Sequence, residues 1–271
     1  MKKNILILIA VIILSVNLFA QSTIGTNIPD DRLPLVSSNP RVTEWQNAGC
    51  LKQIEEQGGL TIDYFLDVTE DLENINGNTL AAKINEITNY DNVPQFQNKS
   101  LLFYFPHGEY EFDETIVINR DNVVFKGVGA DLTILHFNMD YDYYRYTYTD
   151  YPETVILRWR YQDCFDLNTI NSIGFEDFKL ERTDNQIYHE IVDPTTVVGF
   201  SGSNLSISGS SHIWISGIHS YYAPRHHVSI GSGNQNIEIT GSYFNKSLHR
   251  VGGGNGYGVK YEIHNKIFAV V

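Results

Sequence analysis

A unit of two short strands joined by a tight turn occurs twice between residues 205 and 244. In each copy apolar residues alternate with polar or small ones, a pattern that indicates strands with one buried and one exposed face. The first strand at 205–207 recurs at 228–230, and the second strand at 213–215 recurs at 237–239. This nearly constant spacing predicts a coil that stacks on itself. The side chains expected inside it are Leu205, Ile207, Ile213, Ile215, Val228, Ile230, Ile237 and Ile239.

Residues 116–127 form an earlier copy of the unit, and residues 259–270 form a later copy after an insertion. Residues 155–157 and 173–175 are predicted to form another turn of the coil, here called a rung. Asn122 and Asn236 each precede the second strand of their unit. An amide there can bond the turn backbone or its counterpart in the next rung. The pattern therefore predicts an all-β parallel β-helix with rungs over about 101–271.

The first 20 residues have the pattern of a secretory signal peptide. Lys2 and Lys3 precede an apolar run over residues 5–14, which is shorter than the roughly 20 residues that span a membrane. We therefore expect an exported protein (secreted, periplasmic or at the cell surface) without a membrane span once the signal is removed. Residues 21–43 are predicted to form a linker or an extended arm.

Residues 44–90 are predicted to form a helical cap on the N-terminal end of the coil. A short helix is expected within 44–59 and a clearer one over 78–90, with Asn78 as its N-cap. Such a helix covers the apolar core and the unpaired strand edges that an open coil end exposes. At the other end the sequence stops inside an apolar strand, so C-terminal rungs are expected to be missing.

Composition and charge narrow the set of partners. The chain has 271 residues, of which 42% are hydrophobic, enough for one large all-β domain. Its net charge is −13, and removing Lys2 and Lys3 with the signal lowers this to −15. An acidic chain with no basic run is not expected to bind nucleic acid. It also repels acidic polymers unless a basic ledge or bound cations offset the charge.

The segment 101–138 carries a family resemblance. The matching residues are Pro106, Gly108 and Tyr110 of a Pro-x-Gly-x-Tyr turn and Gly127, Gly129 and Thr133 of a Gly-x-Gly…Thr segment. Preceded by a predicted helix, this order resembles the first rungs of the pectate-lyase-like superfamily. The resemblance implies a right-handed single-stranded parallel β-helix (solenoid) with a short N-terminal helical cap. It does not select one activity, because the superfamily includes lyases, hydrolases, epimerases and non-catalytic adhesins.

Aligning the two repeat units places a basic ledge along one outer edge of the coil. Successive rungs lie about 4.8 Å apart, and the alignment stacks Tyr222 over Lys246, Arg225 over His249, and His226 over Arg250. The candidate catalytic residues are Arg225, Lys246, His249 and Arg250, and the candidate substrate-binding residues are His219, Tyr221, Tyr222, Tyr243 and Tyr257. The alternative is an ordinary solvated loop edge. His226 and His227 are adjacent on a strand and therefore point to opposite faces.

A polysaccharide lying across the rungs would meet bases, acids and aromatic rings together. For a uronate polymer the chemistry is β-elimination: a base removes the proton α to the carboxylate, a cation neutralises the enolate, and an acid protonates the leaving oxygen. Related lyases use Arg or Lys as base, often with calcium, so the resemblance implies calcium as a candidate cofactor. Glu176, Asp177 and Glu181 are candidate calcium ligands, the alternative being surface charge.

We therefore expect a secreted, polysaccharide-active protein, foremost a lyase that cleaves acidic polysaccharide. The alternatives are a non-catalytic carbohydrate-binding or adhesion β-helix and a glycoside hydrolase of the same fold. Hydrolysis needs two carboxylates about 5–9.5 Å apart, but residues 203–271 contain only Glu238 and Glu262 as acids. Glu238 is expected to point outward because Ile237 and Ile239 point inward.

Two features leave alternatives open. Residues 140–151 contain six Tyr and three Asp and are predicted to form a loop, which either stacks on sugar near a cation or packs its tyrosines on the outside of the coil. Cys50 and Cys164 are the only cysteines. Export permits a disulfide between them, but two buried thiols agree equally well with the sequence.

Overall fold

The structure is a computed structural model that describes residues 60, 62–89, 93–147, 155–183, 196–245, 257–261 and 266–270. All of them belong to one compact unit, residues 34–271. The signal peptide, the linker, the helix expected within 44–59 and Cys50 lie outside the described residues. No helix in the described ranges is long and apolar enough to cross a membrane.

The described residues are mostly strand. In chain order the elements are β1 (Tyr64–Asp67), α1 (Leu80–Thr88), a 3₁₀ helix (Pro94–Phe96), β2 (Leu101–Tyr104), β3 (Gly108–Phe112), β4 (Ile116–Ile118), β5 (Val123–Lys126), β6 (Thr133–Phe137), β7 (Tyr141–Thr147), β8 (Val155–Tyr161), β9 (Phe165–Asn168), β10 (Asn171–Glu176), β11 (Lys179–Arg182), β12 (Thr196–Ser201), β13 (Ser203–Ser208), β14 (Ser211–Ser216), β15 (His219–Tyr221), β16 (His226–Ile230), β17 (Gln235–Thr240), β18 (Tyr243–Asn245), β19 (Tyr257–Tyr261) and β20 (Lys266–Val270).

These strands form four sheets. Sheet A has the order β1-β2-β5-β10-β14-β17-β20, sheet B β18-β15-β11-β6-β3, sheet C β19-β16-β13-β9-β4, and sheet D β12-β8-β7. From β13 onward the chain visits sheets C, A and B in turn, and each strand pairs in parallel with its counterpart one round later. This order is compatible with an all-β solenoid, and the parallel pairing predicted from the repeat is confirmed.

The predicted core is also confirmed. The eight alternating residues of the two repeat copies are each at most 2% exposed and lie in one hydrophobic cluster. Leu205 pairs with Val228, and Ile213 pairs with Ile237, in the register expected from the repeat. The cluster extends toward the N-terminus through stacked phenylalanines whose ring centroids are 5.2–5.5 Å apart: Phe103, Phe125 and Phe175. A continuous column of apolar side chains therefore stabilises the stack of rungs.

A left-handed residue lies at the start of the sheet A strand in four successive rungs, with φ between 53° and 62°: Asn122 directly precedes β5, and Ser172, His212 and Asn236 are the second residues of β10, β14 and β17. Asn is enriched in this conformation because its short polar side chain bonds locally. The His212 ring donates from Nδ1 to Asn171 Oδ1 (2.7 Å) and accepts at Nε2 from the Asn236 amide (3.2 Å). The expected bonding of Asn236 to the neighbouring rung is therefore present.

The residues that carry the family resemblance lie at two stacked corners, one leading from β2 into β3 and the other from β5 into β6. The Tyr110 hydroxyl donates to the Pro106 carbonyl (3.0 Å), and the Thr133 hydroxyl donates to the carbonyls of Phe105 and Pro106 (both 3.2 Å). A Cβ on Gly127 would lie 2.4 Å from the Asp177 carbonyl oxygen, so only glycine fits. The motif therefore has a structural role in the first rungs.

The helix α1 covers the first strand of sheet C, as predicted. Asn85 imitates a neighbouring strand: its amide donates to Thr115 O (2.8 Å) and accepts from Val117 N (2.8 Å). The helix residues Ala81, Ile84 and Ile87 are fully buried. The predicted N-cap was wrong by one residue, because Thr79, and not Asn78, accepts from the Ala82 N–H (3.2 Å).

Sheet D corrects two sequence-based predictions. Residues 155–157 belong to β8 and do not share a rung with 173–175, which lie in β10. Residues 141–147, predicted as part of a loop, form β7, which pairs antiparallel with β8 from Tyr141↔Tyr161 to Thr147↔Val155. Four of the seven residues in this segment are tyrosines, a residue type that favours strands. Sheet D is therefore a hairpin extended by β12.

The outer face of sheet A is buried. Trp214 is 1% exposed and its indole lies over Gly174, where a Cβ would be 2.3 Å from the ring. The indole N–H donates to Glu176 (2.8 Å), and Lys126 Nζ contacts Glu176 (2.9 Å) and Asp177 (3.1 Å). Glu238 pairs with Trp214 on this face and is 1% exposed. It points away from the core as expected, but not into solvent.

Candidate functional site

The outer face of sheet B places the predicted substrate-binding residues together. Strands β11, β15 and β18 align Lys179, His219 and Tyr243 in one row, and Glu181, Tyr221 and Asn245 in a second. The residues between the rows point to the interior, with Leu180 and Ser220 fully buried. We call the outward side chains of these two rows the sheet B face. Tyr243 is 50% exposed, so the face is open to a ligand.

Aromatic rings and charged groups contact each other along the sheet B face. The Tyr243 ring lies 5.8 Å from His219 and 6.0 Å from Tyr221. Lys179 Nζ lies 5.3 Å from the centre of the Tyr221 ring and 2.9 Å from Glu181 Oε2. Planar rings of this kind stack on the apolar faces of sugars, and the neighbouring charged groups contact their polar edges.

Lys179 was missed at the sequence level. It occupies the same register position as His219 in the adjacent strand. The connection between these two rungs is longer than the repeat identified from the sequence. The repeat spacing therefore did not align Lys179 with His219. The short alternation in the segment KLER was the available signal.

The other predicted residues fall in three places. Tyr222 adjoins the sheet B face, with its ring 6.2 Å from Tyr221. Arg225 lines a separate pocket on the outer side of sheet C. The backbone of Tyr257 pairs with His226 in sheet C, whereas its side chain is not among those described. The predicted stack of His226 over Arg250 is wrong, because Tyr257 occupies the register position next to His226. The stacking predicted for Lys246 and His249 lies outside the described residues.

The pocket beside Arg225, which we call the sheet C pocket, has a volume of about 590 Å³. Its floor is an outward column on β13, β16 and β19, in which Ser206, Ser229 and Lys260 stand in register. Its walls come from the start of the β7–β8 hairpin, which supplies Asp142 and Arg160, and from the turn that carries Arg225. Polar and charged groups therefore dominate it.

Two carboxyl groups were also missed: Asp163, which lines this pocket, and Asp166, which pairs in register with the floor residue Ser206. Burial raises the pKa of Asp163 to about 6, although a hydrogen bond from the Ser203 N–H acts in the opposite direction. Burial likewise raises the pKa of Asp166, and both carboxyls bond the side chain of Ser206. Both precede residues 203–271, the segment in which a pair of acids was considered for hydrolysis. Asp163 and Asp166 reach the same place because β9 pairs with β13.

His226 and His227 lie on opposite sides of the strand, as expected. His226 lines the sheet C pocket. His227 is 2% exposed, with Nδ1 2.8 Å from Ser220 Oγ and its ring stacked on Phe244 at 5.5 Å. Burial, and then the neighbouring His226, lower the pKa of His227 to about 4. His227 is therefore a neutral interior side chain at neutral pH.

The candidate calcium ligands do not converge. Glu176 lies on the outer face of sheet A, where Lys126 contacts both it and Asp177. Glu181 lies on the sheet B face beside Lys179. Across the described ranges, no group of three or more His, Cys, Asp or Glu side chains is arranged to hold a metal ion. These three residues therefore do not form one site, and calcium binding stays a prediction.

Comparisons with known proteins leave the site to be interpreted from its geometry. No protein-family model, curated protein or solved structure matches this chain.

Proposed function

We propose that this chain is an exported polysaccharide lyase that cleaves acidic polysaccharide by β-elimination on the sheet B face. We also propose that its solenoid is a right-handed parallel β-helix of the pectate-lyase-like kind, which its first rungs resemble. The observation that carries the functional proposal is the row Lys179, His219 and Tyr243 beside Glu181 and Tyr221. It combines a cation, a base and stacking rings on one open surface.

The side chains of this face supply each group that elimination requires. Lys179 pairs with the uronate carboxylate and neutralises the charge that develops on it as an enolate. His219 removes the proton α to the carboxylate, and the carbon–carbon double bond forms as the glycosidic carbon–oxygen bond breaks. The Tyr221 hydroxyl, beside Lys179, protonates the leaving oxygen. Tyr243 stacks on the neighbouring sugar unit.

Calcium remains a candidate cofactor in this proposal. At a net charge of −13 the protein repels a polyanion, and a bound divalent cation offsets that repulsion. We expect calcium to increase the rate and a chelator to lower it.

The test measures the unsaturated uronate that elimination produces, by its ultraviolet absorbance, on a panel of uronate polymers. We expect Lys179→Met, His219→Gln and Tyr221→Phe each to lower the rate by about 10²–10⁴-fold. Lys99→Met is the matched control. Lys99 is an exposed lysine paired with Asp63, and it precedes β2 of sheet A, whereas the sheet B face lies on β11, β15 and β18. Thermal unfolding of each variant verifies that it is folded.

Each contrary outcome selects another function. New reducing ends without ultraviolet absorbance would replace elimination by hydrolysis. Binding of a uronate polymer without either product would favour the non-catalytic carbohydrate-binding alternative, which the exposed aromatic rings also support. An ultraviolet signal that persists in all three variants would show that the protein performs elimination, but not on the sheet B face.

A further inference from the structure

The sheet C pocket is a second concave site, on a different sheet from the sheet B face. Its volume of about 590 Å³ falls in the range of small-ligand pockets, roughly 300–1,000 Å³. The short segment 222–225 connects β15 of the face to β16 of the pocket. The pocket is therefore separate from the row that carries Lys179, but it lies beside the same corner of the fold.

The charged groups of the pocket are three cations and three carboxyl groups. Arg160, Arg225 and Lys260 line it, and guanidinium and ammonium groups bind carboxylates through charge-assisted hydrogen bonds. Three carboxyl groups also line it, namely Asp140, Asp142 and Asp163. A ligand that has both a carboxylate and hydroxyls finds partners among both kinds of group, because its carboxylate pairs with a cation and its hydroxyls donate to carboxylates.

The uncharged groups of the pocket select hydroxyls on the same ligand. Ser229 can donate and accept a hydrogen bond, and Ser206 beside it, whose hydroxyl is bonded to Asp163 and Asp166, can still accept one. Asp163, which is partly exposed there, accepts from hydroxyls when it is ionised. Tyr161 and Tyr141 form one edge, with ring centroids 5.0 Å apart. A ligand with one carboxylate, several hydroxyls and a pyranose-sized ring satisfies all of these groups.

We propose that the sheet C pocket binds a single uronate unit of an acidic saccharide, with Arg225 and Lys260 holding its carboxylate and Ser206 and Ser229 its hydroxyls. The choice of a uronate rests on the proposed function, whereas the binding site itself does not. The pocket is then a saccharide site additional to the surface where cleavage is proposed.

The experiment titrates the full chain with glucuronate and, as the matched neutral sugar, glucose, and follows heat by calorimetry. We expect saturable binding of glucuronate and at least tenfold weaker binding of glucose. Lys260→Met and Arg225→Met should each weaken glucuronate binding at least tenfold, and Lys260→Arg, which keeps the charge, should retain most of it. Lys99→Met should leave it unchanged.

Several results would overturn the proposal: equal affinity for glucose and glucuronate, tighter binding of inorganic phosphate than of glucuronate, or no saturable binding of glucuronate. Loss of binding in Lys179→Met, but not in the two pocket variants, would place the uronate on the sheet B face, so that the pocket inference fails while the proposed function stands. Loss of binding in the pocket variants, in a protein that cleaves no uronate polymer, would show that the pocket binds the uronate and that the proposed lyase function fails.

Discussion

Two titratable side chains near the corner between sheets B and C show how burial sets protonation in this fold. Asp163 lies at the sheet C pocket with its pKa raised to about 6, and His227 lies inside the corner with its pKa lowered to about 4. In both cases burial is the largest cause, because it disfavours the charged form. The pocket side of this corner therefore holds a carboxyl group that changes charge near neutral pH, a common property of ligand-binding and catalytic sites.

Asp163→Asn should stabilise the protein above pH 6. An acid whose pKa is raised from its ordinary value of 3.8 to about 6 binds its proton more tightly in the folded state. The free energy of unfolding therefore falls as pH rises from about 4 to 6, and the loss persists at higher pH. Asparagine carries no such cost and keeps an oxygen for the Ser203 N–H. We expect the midpoint temperature at pH 8 to rise by about 2–4 °C for each kcal/mol recovered.

The midpoint difference between Asp163→Asn and the unsubstituted protein should shrink as pH falls below about 6 and reach its low-pH limit below 3.8, where the carboxyl becomes protonated in the unfolded state as well. Asp131→Asn, at an exposed carboxylate, serves as the control. A variant that is equally stabilised at pH 3.5 and pH 8, or is destabilised at pH 8, would contradict the raised pKa of Asp163.

The strands of sheet A carry a buried ion pair on their outer face, away from the apolar core. Burial alone would lower the pKa of Lys126, but Glu176 and Asp177 together raise it above its ordinary value. Lys126 and Glu176 are 5% and 1% exposed, so each charge depends on the other for compensation. Trp214 completes the group by donating to the second Glu176 oxygen. This cluster ties together strands β5, β10 and β14.

Lys126→Met should lower the free energy of unfolding by about 3–5 kcal/mol, because it leaves the buried Glu176 carboxylate uncompensated. The double variant Lys126→Met with Glu176→Gln should lose less than the single one, since Gln removes the charge and still accepts from Trp214. Denaturant unfolding at neutral pH measures both values. A double variant less stable than Lys126→Met alone would show that the charge is not the cause.

At the level of the entire chain, the predictable part of the fold is the part with a constant repeat. The eight core residues and the parallel pairing of sheets A and C followed from period-two alternation that recurs at a nearly constant spacing. The helix α1 followed from its apolar stripe, although its cap was displaced by one residue. Sheet D could not be predicted, because it interrupts the repeat: β7 and β8 pair antiparallel, and β12 joins them from much further along the chain.

The candidate site was predictable only where the constant repeat passes through it. His219 and Tyr243 were matched correctly because one repeat separates them in the chain. Lys179 and Asp163 contact their partners across connections of variable length, which no spacing rule fixes. The burial that raises the pKa of Asp163 depends on β13 packing beside β9, and this is a property of the tertiary structure.

The most direct test of the proposed function is a crystal structure of the protein with a bound uronate oligosaccharide. The sugar rings should lie over Tyr221 and Tyr243, with a carboxylate within about 3 Å of Lys179 Nζ and the α-proton facing His219. An oligosaccharide bound along the outer side of another sheet, with the sheet B face empty at saturating ligand, would contradict the account.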